Sequence, residues 1–90
     1  MDKVHLLISG QVQGVLFRMH THKKATELKL TGWVRNLSDG SVETFAEGPR
    51  EQLEIFAEWC RHGPPAAKVA QVKIKWQEGP KQFGDFRIQG

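Results

Sequence analysis

The 90-residue sequence has a single cysteine, Cys60. A lone thiol closes no intrachain bridge and completes no CxxC metal or redox pair, so a disulfide-stapled scaffold is excluded. No apolar run approaches the ~20 residues of a membrane span. The N-terminus lacks the basic and apolar regions of a secretion signal, so a cytoplasmic protein with no membrane partner is expected. Internal repeats and low-complexity tracts are also missing. What remains fits one globular domain over residues 1–90: 39% apolar and 26% charged residues, with nine Gly and four Pro as local punctuation. The net charge of +3, from 13 basic against 10 acidic residues, tilts toward an anionic partner. Nucleic acid, a phosphorylated metabolite and plain solubility all fit that tilt.

Val4, Leu6 and Ile8 alternate with His5, Leu7 and Ser9, the period-two pattern of a strand with a buried face. Gly10 and Gly14 then punctuate a loop. From Phe17 the period changes. Phe17, Thr21, Ala25 and Leu28 recur at helical spacing and predict a helix over Phe17–Leu28. Thr31–Asn36, with Trp33 and Val34, reads as a second strand, and Leu37-Ser38-Asp39-Gly40 as a hairpin connection into a third, Ser41–Glu47. Pro49 opens a helix to His62 with the stripe Leu53, Phe56, Ala57 and Cys60, and Gly63-Pro64-Pro65 stops it. Val69–Gln77 sets Ala70, Val72, Ile74 and Trp76 against Val69, Gln71, Lys73 and Lys75, a strand solvated on one face. Phe86–Ile88 has room for a short fifth strand.

This βαββαβ order is the ferredoxin-like split βαβ arrangement. It predicts an α+β sandwich: an antiparallel sheet of four strands plus a short fifth, with two helices on one face. In that topology strands one and two run parallel with strand three between them. The loop Gly10–Leu16, the start of the first helix and Asn36 therefore meet at one sheet edge, with backbones ~10 Å apart.

That edge has the makings of an anion site. A glycine-bearing loop entering a helix presents unpaired amide N–H groups, and the helix dipole adds about half a positive charge. Gly14 permits the backbone conformation of such a nest. The first helix also carries its charges against its own dipole, with Arg18 at the start, Lys23 and Lys24 in the middle and Glu27 in the last turn. Each misplaced exposed charge costs ~0.3–1 kcal/mol, and a docked anion reverses that penalty. Arg18 has two readings: a solvent-facing or surface-paired side chain, or a planar fork for two phosphate oxygens. Asn36 also has two: turn chemistry near Asp39-Gly40, or an amide that holds a water in line with a bound phosphorus.

Gly10-Gln11-Val12-Gln13-Gly14-Val15-Leu16-Phe17-Arg18, followed by Thr31-Gly32-Trp33-Val34-Arg35-Asn36 and Asp39-Gly40-Ser41-Val42-Glu43, resembles the acylphosphatase family. The resemblance spans essentially the whole chain. It implies a small metal-free hydrolase that splits the carboxyl–phosphate bond of acyl phosphates, and nothing in the sequence calls for a cofactor or for more than a monomer. It further implies Arg18 as the phosphate-binding catalytic arginine and Asn36 as the residue that orients the attacking water. Gln13, Gly14, Val15, Leu16, Phe17 and Arg18 would form the phosphate cradle, open also to inorganic phosphate or sulfate. Family members often carry glycine or a bulky aromatic at the position of Leu16, so leucine is a departure at the rim.

Other features have plainer readings. His20 and His22 stand at i, i+2 and point to different helix faces, and His5 and His62 have no partner at metal-ligand spacing, so surface or capping roles are expected. Cys60 reads as a small buried hydrophobe, and Trp33, Trp59 and Trp76 as core or core-edge residues. RNA-recognition domains share the element order, but they stack bases on aromatics of strands one and three. Strand one here has none and strand three only Phe45, so no nucleic-acid partner is expected. A regulatory sensor, or a piece of a larger maturation enzyme, would keep the same fold and loop.

Overall fold

A computed structural model describes residues 1–89. The alternating run at the N-terminus forms β1 (Asp2–Gln11), followed by α1 (Phe17–Glu27), β2 (Thr31–Asn36), β3 (Val42–Gly48), α2 (Arg50–His62), β4 (Lys68–Glu78) and β5 (Phe86–Gln89). The sheet order is β4-β1-β3-β2-β5. β3 lies antiparallel between β1 and β2, which therefore run parallel, as the element order requires.

Two expectations change. The fifth strand is real and pairs parallel with β2, opposing Val34 to Ile88, so the sheet is mixed rather than antiparallel. The chain reaches β2 from the same end both times, which makes a parallel pairing the one available at that edge. The second change lies in β4. Ser9 opposes Gln71, but Gly10 opposes Val69, so Ala70 is an extra residue in a β-bulge. Ala70 is consequently exposed, and Val69 takes the inward position expected for it. Gly10 is what admits the bulge: at φ 126° a Cβ there would strike Lys68 O and lie 2.7 Å from Ala70 N.

Both helices lie on one face of the sheet. β1 contributes Val4, Leu6 and Ile8 to the core, β2 Val34, β3 Val42 and Ala46, and β5 Phe86. Phe17, Thr21 and Ala25 face them from α1, and Leu53, Phe56, Ala57 and Cys60 from α2. α1 ends one residue before the predicted Leu28, which caps it half-buried, and Pro49 precedes α2 as its cap rather than opening it. The three tryptophans are half-buried. Trp59 packs its ring against Phe17, and Arg50 lies 3.6 Å over the ring of Trp76. Burial pushes the Cys60 thiol up, so it stays protonated and packs as an apolar group.

On the opposite face Lys3 and Glu47 oppose each other across β1 and β3 and form a buried ion pair at 2.9 Å. Glu47 also accepts the Gln82 N–H at 2.9 Å, the Phe83 N–H at 3.0 Å and the Thr31 hydroxyl at 3.2 Å. Lys3 Nζ donates to Pro80 O at 2.6 Å. The β4–β5 connection is thereby strapped across the sheet. Burial alone would raise the Glu47 carboxyl, but the Lys3 and amide donors outweigh it and hold the group below its ordinary range. A carboxylate depressed in the folded state stabilises the fold above its unfolded pKa and loses that contribution as pH falls through the folded value. Urea unfolding should therefore show stability declining from about pH 4.5 downward. Glu47→Gln strands the buried Lys3 charge and is expected to cost about 3 kcal/mol at neutral pH while flattening the acid limb. A variant with the wild-type midpoint at pH 7 refutes this role for the strap.

Candidate active site

At the end of β1 the chain leaves the sheet through residues 12–16 and enters α1. The first intrahelical bond at this end runs from His20 N–H to Leu16 O at 3.1 Å. The N–H groups of Phe17, Arg18 and Met19 thus precede the first intrahelical donor, and the N-cap Leu16 makes no side-chain capping bond. The first turn holds no acidic residue. It is an electropositive helix end, of a kind suited to an anion.

The loop reaches this position through two left-handed residues. Gly14 adopts φ 75°, as its lack of a Cβ allows. Leu16 adopts φ 60°, ψ 28° as the N-cap of α1. A side chain with a Cβ costs roughly 1–2 kcal/mol there, which is a physical reason for glycine to suit this position. Phe17, 1% exposed, anchors the entry from below by packing on Trp59.

A cleft of about 250 Å³ opens at this edge, lined by Val12, Gln13, Gly14, Leu16, Phe17, Arg18, Met19, Asn36 and Ile88. Of the residues expected at the site, Gln13, Gly14, Leu16, Phe17, Arg18 and Asn36 therefore converge, from a loop, a helix start and a strand end. Val15 instead tucks its side chain against the core. The Arg18 guanidinium donates from Nη1 to Gln89 O at 3.3 Å. That contact brings β5 to the cleft, which was not visible in the sequence because parallel pairing with β2 links residues distant along the chain.

Gln13 does more than line the cleft. Its Nε2 donates to Leu37 O at 2.8 Å and Ser41 O at 2.9 Å, across the β2–β3 hairpin. Leu37 N–H also donates to Ser41 O at 2.8 Å. The side-chain amide thus ties the loop to the segment that follows Asn36. The hairpin is itself fixed by Asp39, whose Oδ1 accepts the Ser41 hydroxyl at 2.5 Å and the Ser41 N–H at 3.0 Å. Those two donors hold the Asp39 carboxyl below its ordinary range. Nothing in the spacing of Gln13 and Leu37 announces this brace, because backbone acceptors leave no residue-type signal.

The histidines lie apart from the cleft. His5 Nε2 is 2.7 Å from Glu43 Oε2, which shares its carboxylate with Arg35, and His62 contacts Glu58 at 3.3 Å. Among the described residues no three His, Cys, Asp or Glu side chains gather as a metal-ion site. No helix among them is long and apolar enough to cross a membrane. On the face away from the helices, Trp33 stacks on Phe45 with Arg35 over its ring, and Phe83 meets Phe45 edge-on. These aromatics pack on one another as a small cluster.

Comparison with known proteins agrees with this geometry over nearly the full length. The acylphosphatase family model matches residues 4–88. A curated acylphosphatase of Marinobacter nauticus is 51% identical over 86 residues, 96% of this chain and 94% of the relative. The crystal structure of acylphosphatase from Bacillus subtilis superposes with a TM-score of 0.96 at 36% identity, covering 100% of both chains. An acylphosphatase structure from Coxiella burnetii gives 0.91 at 45% identity, covering 98% of this chain and 93% of that one. With the family model, full-length relatives and a shared fold all in agreement, the chain belongs to the acylphosphatase family.

Proposed function

We propose that this acylphosphatase hydrolyses its substrate by direct in-line attack of water on phosphorus, with the phosphoryl group held by the amides of residues 13–18 and the Arg18 guanidinium. One observation carries the reading: Arg18 and Asn36 line the same cleft at an uncapped helix N-terminus. The amides and the guanidinium neutralise the three phosphoryl oxygens, where charge is spread in the transition state. Asn36 offers a donor and an acceptor on one rigid plane and holds the water opposite the leaving oxygen. As the new O–P bond forms, the bond from phosphorus to the acyl oxygen breaks and its electron pair leaves with the carboxylate. The conjugate acid of that carboxylate has pKa ~4, so no protein acid is required. The water proton passes to a phosphoryl oxygen of the substrate, which stands in for a protein base. The protein's task reduces to positioning, a contribution that reaches ~7–11 kcal/mol in well-oriented reactions. The protein acts as a cytoplasmic monomer on a small molecule, with no nucleic-acid or membrane partner.

The test is an assay in EDTA. Purified protein mixed with benzoyl or acetyl phosphate is expected to release inorganic phosphate at full rate, with phosphate and sulfate inhibiting competitively. Turnover that EDTA abolishes and a divalent cation restores would remove the metal-free mechanism. Salt-dependent oligonucleotide binding without hydrolysis would favour the nucleic-acid reading instead.

A further inference from the structure

The ladder between β1 and β3 ends at the Ile8–Val42 pair, and beyond it β1 runs on beside β4 alone. The loop at residues 12–16 and the β2–β3 connection at residues 37–41 therefore leave the sheet with no strand pairing between them. Among the described residues, the hydrogen bonds that join these two segments both come from the Gln13 side chain, through Nε2 to Leu37 O and Ser41 O. The two acceptors sit on opposite arms of the hairpin. Leu37 directly follows Asn36, and Ser41 directly precedes Val42, the residue that Asn36 opposes in the β2–β3 register. One half-buried side chain thus holds both arms beside the Asn36–Val42 pair.

The same contacts exclude another use for this side chain. A carboxamide nitrogen carries two hydrogens, and two carbonyl acceptors occupy both. The partners also fix which end of the amide is the nitrogen, since an oxygen placed there would face two further oxygens. Only Oε1 is left over, an acceptor with nothing to offer a phosphoryl oxygen. Gln13 lines the cleft, yet its side chain serves the hairpin. We propose that Gln13 is a positioning residue for the reaction: its side chain sets Asn36 at the working distance from the phosphate cradle, and with it the water that attacks phosphorus. This rests on the hydrolysis reading above, in which Asn36 orients that water. In-line attack tolerates little error, since a displacement of about 1 Å costs up to ~10²-fold in rate.

Gln13→Met keeps the length of the side chain and removes both donors. On benzoyl phosphate its kcat is expected to fall about tenfold, while the inhibition constant for inorganic phosphate stays within about twofold. In an Asn36→Ala background the same substitution should cost less than about twofold more, because the residue it positions is already gone. An unchanged kcat overturns the proposal, as does a loss that adds in full to that of Asn36→Ala. Phosphate inhibition weakened by ~10-fold or more also overturns it, by making the side chain a ligand of the anion. If Gln13→Met does not melt cooperatively, Gln13→Asn, whose amide is one methylene short, takes its place in the same cycle with the same outcomes. Hydrogen exchange reads the brace without turnover. The Leu37 N–H, which donates to Ser41 O, should exchange about tenfold faster in the variant, and a wild-type rate there overturns the proposal. A chain that hydrolyses no acyl phosphate, or an Asn36→Ala enzyme with full kcat, fails at the hydrolysis reading instead, and exchange at Leu37 then decides whether Gln13 holds Asn36 in place.

Discussion

Arg18→Lys is expected to lower kcat on benzoyl phosphate by about 10³-fold, within the range that transition-state arginines contribute in phosphoryl transfer. Lysine keeps the charge, so the loss isolates what the planar fork supplies: two parallel donors to two oxygens in fixed geometry. The lysine ammonium carries three donors, but they diverge tetrahedrally from a flexible stem and cannot form the parallel, coplanar pair. Inhibition by inorganic phosphate should weaken as well, by at least ~10-fold, because the same fork grips the product. The fold should survive, since buried Phe17 and Thr21, whose hydroxyl donates to Phe17 O at 2.8 Å, anchor the start of α1. Steady-state kinetics beside a circular dichroism melt make the check. A folded lysine variant with a tenth or more of wild-type turnover would remove the fork from the mechanism.

Asn36→Ala should behave differently. kcat is expected to fall by about 10²-fold, the scale of a misplaced reactant, while the inhibition constant for inorganic phosphate stays within about threefold. The separation follows from the positions of the two residues. Arg18 stands in the first turn of α1, whereas Asn36 ends β2, so the two reach the cleft from separate elements. Removing an interaction with water lowers the rate without loosening the grip on the anion. An Asn36→Ala enzyme with full kcat on benzoyl phosphate would refute the water-orienting role.

Much of the placement of these residues is legible in the sequence. The change from period two to helical spacing at Phe17 locates the helix start, and Gly14 with Arg18 marks an anion-ready end. The βαββαβ order then brings Asn36 to the same edge, because β3 between β1 and β2 forces those two strands to run parallel. The misses share a cause. Gln13 braces the hairpin through backbone carbonyls, the β4 bulge depends on Gly10 meeting the backbone of Lys68 and Ala70, and Ile88 reaches the cleft by a parallel pairing. Each is a contact between backbone and a distant segment, and such contacts impose little on the local residue pattern. The Lys3–Glu47 pair was hidden for a related reason. Charged residues on the solvent side of a strand read as surface until the β4–β5 connection is seen to cover them.

The bulge at Ala70 also bears on how copies of the chain meet. β4 is an outer strand of the sheet and, with eleven residues, its longest, the kind of unpaired ribbon that templates edge-to-edge growth into aggregates. The extra residue breaks the even spacing of its free donors and acceptors, and exposed Lys68, Lys73 and Lys75 place like charges along any would-be pairing. One residue out of step near the active-site end of the sheet thus helps keep a concentrated solution of this enzyme from turning into fibre.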